Sequence, residues 1–344
     1  MNKRIAFALL AAGFVAPLVS AQFAAAQDQA LRYNRWLPPT HHIDNNVFKP
    51  WFEQVAKATS GRVKIEFTTS SLGPLPRQFE LATSGVADVT FGSESLTPGR
   101  FPLAEILEVP FLGNSAEATS VAYWRVYKAH FEKAETYTGT KLLGLSGLPP
   151  YHIYNNKRPI VSLADFKGLK LRAAGKYLTD MTGALGAVSV PAQITELYDL
   201  LSKGVIDGTL YMDDGIRSFN LAKFLPHKTE IPGGLSSFSS FVVINKRKWD
   251  AISAADRAAI EAIAGENLAR LLGRSFDESA AVGQTQMKEA GVKVVVADAQ
   301  LTDALKKQLA FLEQRWVGEA KNKGVDGVAA LKMLRDEAAK YKKP

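Results

Sequence analysis

The chain has 344 residues, enough for two domains of ordinary size at about 100 to 200 residues each. It contains no cysteine, which removes disulfides, thiolate nucleophiles and Cys-ligated zinc from consideration. Lys and Arg outnumber Asp and Glu by 42 to 34, a formal charge of +8 that favours anionic partners. The basic residues are nevertheless mixed with acids except at Lys340, Lys342 and Lys343, so the basic stripe of a nucleic-acid binder is missing.

In chain order, residues 1–26 read as a secretory signal peptide: Lys3 and Arg4, an apolar run from Ile5 to Val19, then small residues. The run is shorter than the about 20 residues that a spanning helix needs. Its removal leaves a formal charge of +6 (+8 less Lys3 and Arg4), on a chain expected to be exported. LRYNRW (31–36) is predicted as a first strand, Asp44 to Ser60 as an amphipathic helix stopped at Gly61, and RVKIEFTT (62–69) as a second strand with period-two alternation. LATSGVADVTFG (81–92) is then echoed by LLSKGVIDGTLY (200–211), each reading as a helix ended by glycine, a short strand and a loop. Ser162 and Asp165 form a capping-box pattern ahead of a KLRA strand, and Gln193 to Lys203 carries Leu197, Leu200 and Leu201 on one helix face. From Ser253 to Ala290 nearly every residue is a good helix former, which predicts a helix of about 37 residues and roughly 55 Å leaning across both domains.

Catalytic apparatus is not legible. G-x-S-x-G, G-x-G and G-x-x-x-x-G-K-[ST] are absent, and none of His41, His42, His130, His152 and His227 forms H-E-x-x-H. His41 and His42 are read as loop residues beside Pro38 and Pro39, and Asp213 with Asp214 as a helix N-terminus, where the helix dipole stabilises acids. In open α/β sheets ligands sit beyond the carboxyl ends of strands, so Trp36, Gly92, Ser93, Arg172 and Tyr211 are expected to converge on one cleft. Arg172 itself has two readings, a surface or ion-paired residue and a planar fork of donors for a carboxylate.

TSGRVKIEFTTSSLGP (59–74), SGVADVTFG, SLADFKGLKLR (162–172), the 183–208 run and ISAADRAAIEAIA together resemble the periplasmic solute-binding subunit of a TRAP (tripartite ATP-independent periplasmic) transporter. The resemblance implies an α/β, two-lobed periplasmic-binding-protein fold with a ligand cleft between lobes and a long helix spanning both. Residues 27–149 and 237–276 are assigned to lobe I, and 150–236 and 277–344 to lobe II. It implies capture of a small organic acid, lobe closure, and delivery to TRAP membrane permease subunits, with no enzyme activity and no cofactor, by a monomer. The arginine of the family's L-K-[LI]-R motif, which pairs with the substrate carboxylate, matches Arg172.

Departures from that pattern bear on substrate. A second family arginine is replaced by His152, and the asparagine of the V-D-G-Q-E-N segment by Tyr211. With Trp36, these exchanges favour a monocarboxylate with an apolar or aromatic body over a dicarboxylate, although a protonated His152 would serve a second carboxylate. Ser93 is carried over as a polar contact, Phe238 and Phe241 as pocket or core, and Asp213 keeps a metal-bridged keto acid open as an alternative. Two other classes stay open here: a periplasmic enzyme with His152 as general base, and a ligand sensor.

Overall fold

In a computed structural model, which describes residues 29–341 apart from residues 98, 114, 135 and 136, the two echoing segments fold alike. The signal-peptide expectation for residues 1–26 lies outside the described residues. Helix Gln78–Ser84 ends at Gly85 in the left-handed conformation (φ 79°) and leads to strand β3 (Val89–Gly92), while helix Leu197–Ser202 leads through left-handed Gly204 (φ 66°) to strand β8 (Gly208–Tyr211). Only glycine takes that conformation without strain. The shared aspartate has one job in both places. The Asp88 carboxylate accepts the Arg32 backbone N–H at 2.8 Å, and that of Asp207 accepts the Lys170 N–H at 2.9 Å, each tying its unit to the neighbouring parallel strand.

The other strands are β1 (Gln29–Tyr33), β2 (Val63–Phe67), β4 (Thr140–Gly147), β5 (His152–Asn155), β6 (Lys170–Ala173), β7 (Val188–Pro191), β9 (His227–Glu230), β10 (Ser239–Asn245) and β11 (Lys293–Val296). They form two mixed sheets, in the order β2-β1-β3-β10-β4 for the first lobe and β11-β9-β5-β8-β6-β7 for the second. The chain crosses between the sheets after β4 and again after β9. The two crossing segments run side by side as a hinge ribbon, with Tyr151 N–H to Ser236 O at 2.8 Å, Leu235 N–H to Tyr151 O at 3.0 Å and Leu148 N–H to Phe238 O at 2.9 Å.

A third link is helical. Helix Glu266–Glu289 packs on Ala116–Val126 of the first lobe and on Asp213–Ser218 of the second. It is shorter than the helix predicted from Ser253, because the chain breaks between Ile263 and Glu266. Gly265 turns left-handed there (φ 61°) and donates its N–H to the Leu143 carbonyl of β4 at 2.7 Å. Propensity favours a continuous helix; a sheet carbonyl that captures one backbone donor overrides it. The chain end also departs from its assignment to the second lobe: helix Gly327–Lys340 packs on Ala116–Val126, and helix Ala299–Asn322 contacts both lobes, sending the Trp316 indole N–H to Leu103 O at 3.2 Å.

Candidate functional site

The carboxyl ends of β1, β3, β6 and β8 meet around a cavity with about 620 Å³ of atom-free space, part of it continuous with solvent. The first lobe contributes Trp36, Leu37, His41, Phe91, Gly92, Ser93 and Leu96, the second Arg172, Ile194, Tyr211, Met212 and Phe219, and the ribbon and spanning helix supply Tyr151, Phe238 and Phe276. Four residues singled out in the sequence, Trp36, Ser93, Arg172 and Tyr211, thus line one space. Phe238 is there too, whereas Phe241 is fully buried in the first-lobe core behind Gly92, where a Cβ would come within 2.4 Å of its ring.

Arg172 is 2% exposed. Its Nε donates to the Ala192 carbonyl at 2.9 Å, its guanidinium carbon lies 5.4 Å from the centre of the Tyr211 ring, and its Nη1 has no hydrogen-bond partner. No carboxylate of the described residues forms a salt bridge with it. Burial lowers its pKa, yet a guanidinium keeps its proton throughout the physiological range, so a full positive charge stands in a largely apolar space. An isolated buried charge is costly unless something pairs with it.

Two phenols flank the cation. Tyr151 and Tyr211 meet edge to face at 5.3 Å, and burial raises both pKa values, so both hydroxyls stay protonated as donors. On the opposite lobe the Trp36 indole N–H goes to the Phe91 carbonyl at 2.7 Å, which fixes the ring in a stacked arrangement over Phe91 at 6.3 Å. The Ser93 hydroxyl donates to Ser239 O at 3.0 Å.

His152 and Asp213 do not line this cavity. Strand alternation turns His152 away from its neighbour Tyr151 and toward a second pocket on the hinge side, shared with Asp213, Glu230, Asp277 and Gln284. There the His152 Nδ1 accepts the Ile231 N–H at 3.2 Å, and burial followed by the nearby Lys228 charge lowers its pKa to about 4, so it is neutral at pH 7. Asp213 is the partner of that buried lysine. Lys228 Nζ lies 2.9 Å from it, and Tyr154 and Gln284 also donate to its carboxylate. Burial alone would raise its pKa; Lys228, His152 and Tyr154 outweigh burial and hold it low. A carboxylate so engaged, outside the cavity, does not fit a metal that bridges to a ligand.

The pair His41 and His42 carries more than the loop role assigned to it. Both are buried, and their rings stack at 4.6 Å. His42 Nδ1 lies 2.7 Å from Ser275 Oγ of the spanning helix and its Nε2 3.0 Å from Asp214 Oδ1 of the second lobe, whose carboxylate also takes the Ser279 hydroxyl. Ligand-type atoms of His41, His42 and Asp214 lie within 4.8 Å of one another. Asp213 and Asp214 do open a helix, Asp213–Ser218, but each is also drawn into a distinct buried network. The available signal for His41 was its position in the loop that follows β1.

The family profile of bacterial extracellular solute-binding protein, family 7, matches residues 34–317. The chain belongs to this family. A protein of Comamonas testosteroni named outer membrane transporter protein TsaT is 30% identical over 339 residues, 98% of each chain. A TRAP periplasmic solute-binding protein of Bordetella bronchiseptica, solved with bound (R)- and (S)-mandelate, is 34% identical with a TM-score of 0.86, covering 90% of this chain and 99% of that one. A TRAP solute-binding protein of Rhodoferax ferrireducens, solved with copurified benzoate, is 27% identical with a TM-score of 0.83, covering 91% and 98%. This family 7 protein is therefore a two-lobed TRAP solute-binding protein, one that binds rather than transforms its solute. Family members take small organic acids and work with membrane permeases. No helix of the described residues is long and apolar enough to cross a membrane.

Proposed function

We propose that the protein captures an aromatic monocarboxylate in the periplasm and, as a monomer, delivers it to TRAP permease subunits. One observation carries this reading: a buried Arg172 with no anionic partner among the described residues faces a cavity walled mainly by rings and aliphatic side chains. The ligand carboxylate takes the free donors of the guanidinium fork and the Tyr151 and Tyr211 hydroxyls. The absence of a second cation in the lining disfavours a dicarboxylate. The ligand body lies among Trp36, Met212, Phe238 and Phe276, which reward an apolar or aromatic shape by removing it from water. The aromatic acids bound by the Bordetella and Rhodoferax proteins support the same class.

Isothermal calorimetry tests the class directly. Benzoate and mandelate are expected to bind, whereas benzamide, of nearly the same shape but uncharged, and succinate are expected to give no heat at the same concentration. Succinate binding more tightly than every aromatic acid tried would overturn the reading.

A further inference from the structure

We propose that His41 donates a hydrogen bond to a second oxygen on the ligand, so that the protein selects aromatic acids bearing a hydroxyl, ether or keto oxygen away from the carboxylate. The inference rests on the proposed aromatic-acid site and narrows it. It follows from an account of every polar side chain that lines the cavity.

The Trp36 N–H is spent on Phe91 O, and the Ser93 hydroxyl on Ser239 O. Ser240 Oγ is paired with Ser146 Oγ at 2.6 Å. Arg172, Tyr151 and Tyr211 form the carboxylate pole. His41 is left over.

Its Nδ1 accepts the Ile43 backbone N–H at 3.3 Å, which places the ring proton on Nε2, and Nε2 has no hydrogen-bond partner among the described residues. Burial and then the neighbouring His42 lower the ring's pKa to about 4, so at neutral pH it is an uncharged donor rather than a cation. It is also held in place: it stacks on His42, which Ser275 and Asp214 fix from the other side. A polar group positioned by such a supporting shell, inside an apolar wall, is the arrangement that confers orientation and selectivity on a small-molecule site.

His41 stands at a separate pole from the arginine. It reaches the cavity from the first lobe, after β1, whereas Arg172 reaches it from β6 of the second. An acid anchored at Arg172 therefore presents its far end, not its carboxylate, to the imidazole.

The test is a calorimetric comparison, in buffer containing EDTA, of benzoate and phenylacetate with their 2-, 3- and 4-hydroxy derivatives. Wild type is expected to bind the best hydroxy derivative at least about tenfold more tightly than its parent. His41→Phe is expected to bring that ratio to about one, whatever it does to the parent's own Kd, and His41→Gln, which restores an N–H donor, to recover part of the preference. Should His41→Phe fail to fold, His41→Ala, which fits any space that histidine fills, replaces it. A preference undiminished in the His41→Phe or His41→Ala protein, or no preference in wild type, overturns the assignment while leaving the aromatic-acid reading intact. A preference seen only without EDTA would assign the recognition to a metal on the His41, His42 and Asp214 set and overturn direct donation. Failure of wild type to bind any of these acids overturns both readings.

Discussion

At the scale of single residues, the protein turns on how much each buried polar atom has already been used. Asp213 and Lys228 are buried but neutralise one another at 2.9 Å, and pairs of that kind hold structure together without asking for a ligand. Arg172 is buried with one nitrogen committed to a carbonyl and Nη1 unpartnered, so its free energy improves when an anion arrives. Arg172→Ala is accordingly expected to weaken binding of benzoate or mandelate by about 2 to 5 kcal/mol, the cost of removing one partner of a buried charge pair. Arg172→Lys should recover only part of that loss, since an ammonium offers a point charge where the carboxylate meets a planar fork. Calorimetry on the two variants decides the matter: a loss under fivefold for the alanine protein would remove Arg172 from the site.

At the scale of elements, the site is built from strand ends and from Met212 and Phe219 at the two ends of helix Asp213–Ser218, and one glycine couples strand β8 to that helix. A Cβ on Gly215 would lie 1.9 Å from Tyr211 Cε1 and 2.6 Å from Cδ1, so the tyrosine ring packs against the space that glycine leaves open. Gly215→Ala would gain up to about 1 kcal/mol of helix propensity. The clash is larger and forces the ring out of place. The variant is expected to bind its acid at least about tenfold more weakly, and in a Tyr211→Ala background the same change should cost little, because the ring it displaces is gone. A full loss in both backgrounds would show that Gly215 acts otherwise than through Tyr211. Elements of this size were largely legible in the chain. The capping box at Ser162 and Asp165, the glycine stops at Gly85 and Gly204, and the Ser253 cap all form where local sequence placed them, since each is satisfied within a few residues. The break at Gly265 was not legible, because the carbonyl that causes it belongs to Leu143, far off in sequence.

At the scale of the whole molecule, the cavity exists only while the lobes are together: Trp36 and Ser93 come from one, Arg172 and Tyr211 from the other. The His42–Asp214 contact across the lobes and the shared helix Glu266–Glu289 favour this closed form, and the unpaired guanidinium opposes it. Without ligand the balance is expected to shift toward separation, where water solvates Arg172, and an acid that removes the opposing term is expected to shift the population back. Small-angle scattering is expected to give a larger radius of gyration for the ligand-free protein than for the protein saturated with benzoate, and no contraction with benzamide. Equal radii in all three samples would mean that the lobes stay closed regardless of charge pairing.

Sequence by itself determined the features whose physics is local or periodic: alternating strands, capped and glycine-stopped helices, the matched units around Asp88 and Asp207, and the motif that sets Arg172 on a strand near its end. It also marked Tyr211 and Trp36 as rings where a dicarboxylate site would need hard donors. Only the tertiary structure decided which polar groups were already satisfied. It withdrew His152 and Asp213 to the hinge-side pocket beside Lys228 and brought His41 to the ligand wall, because hydrogen-bond partners and burial are supplied by residues distant along the chain, and an unspent donor is visible only after every other one has found its acceptor.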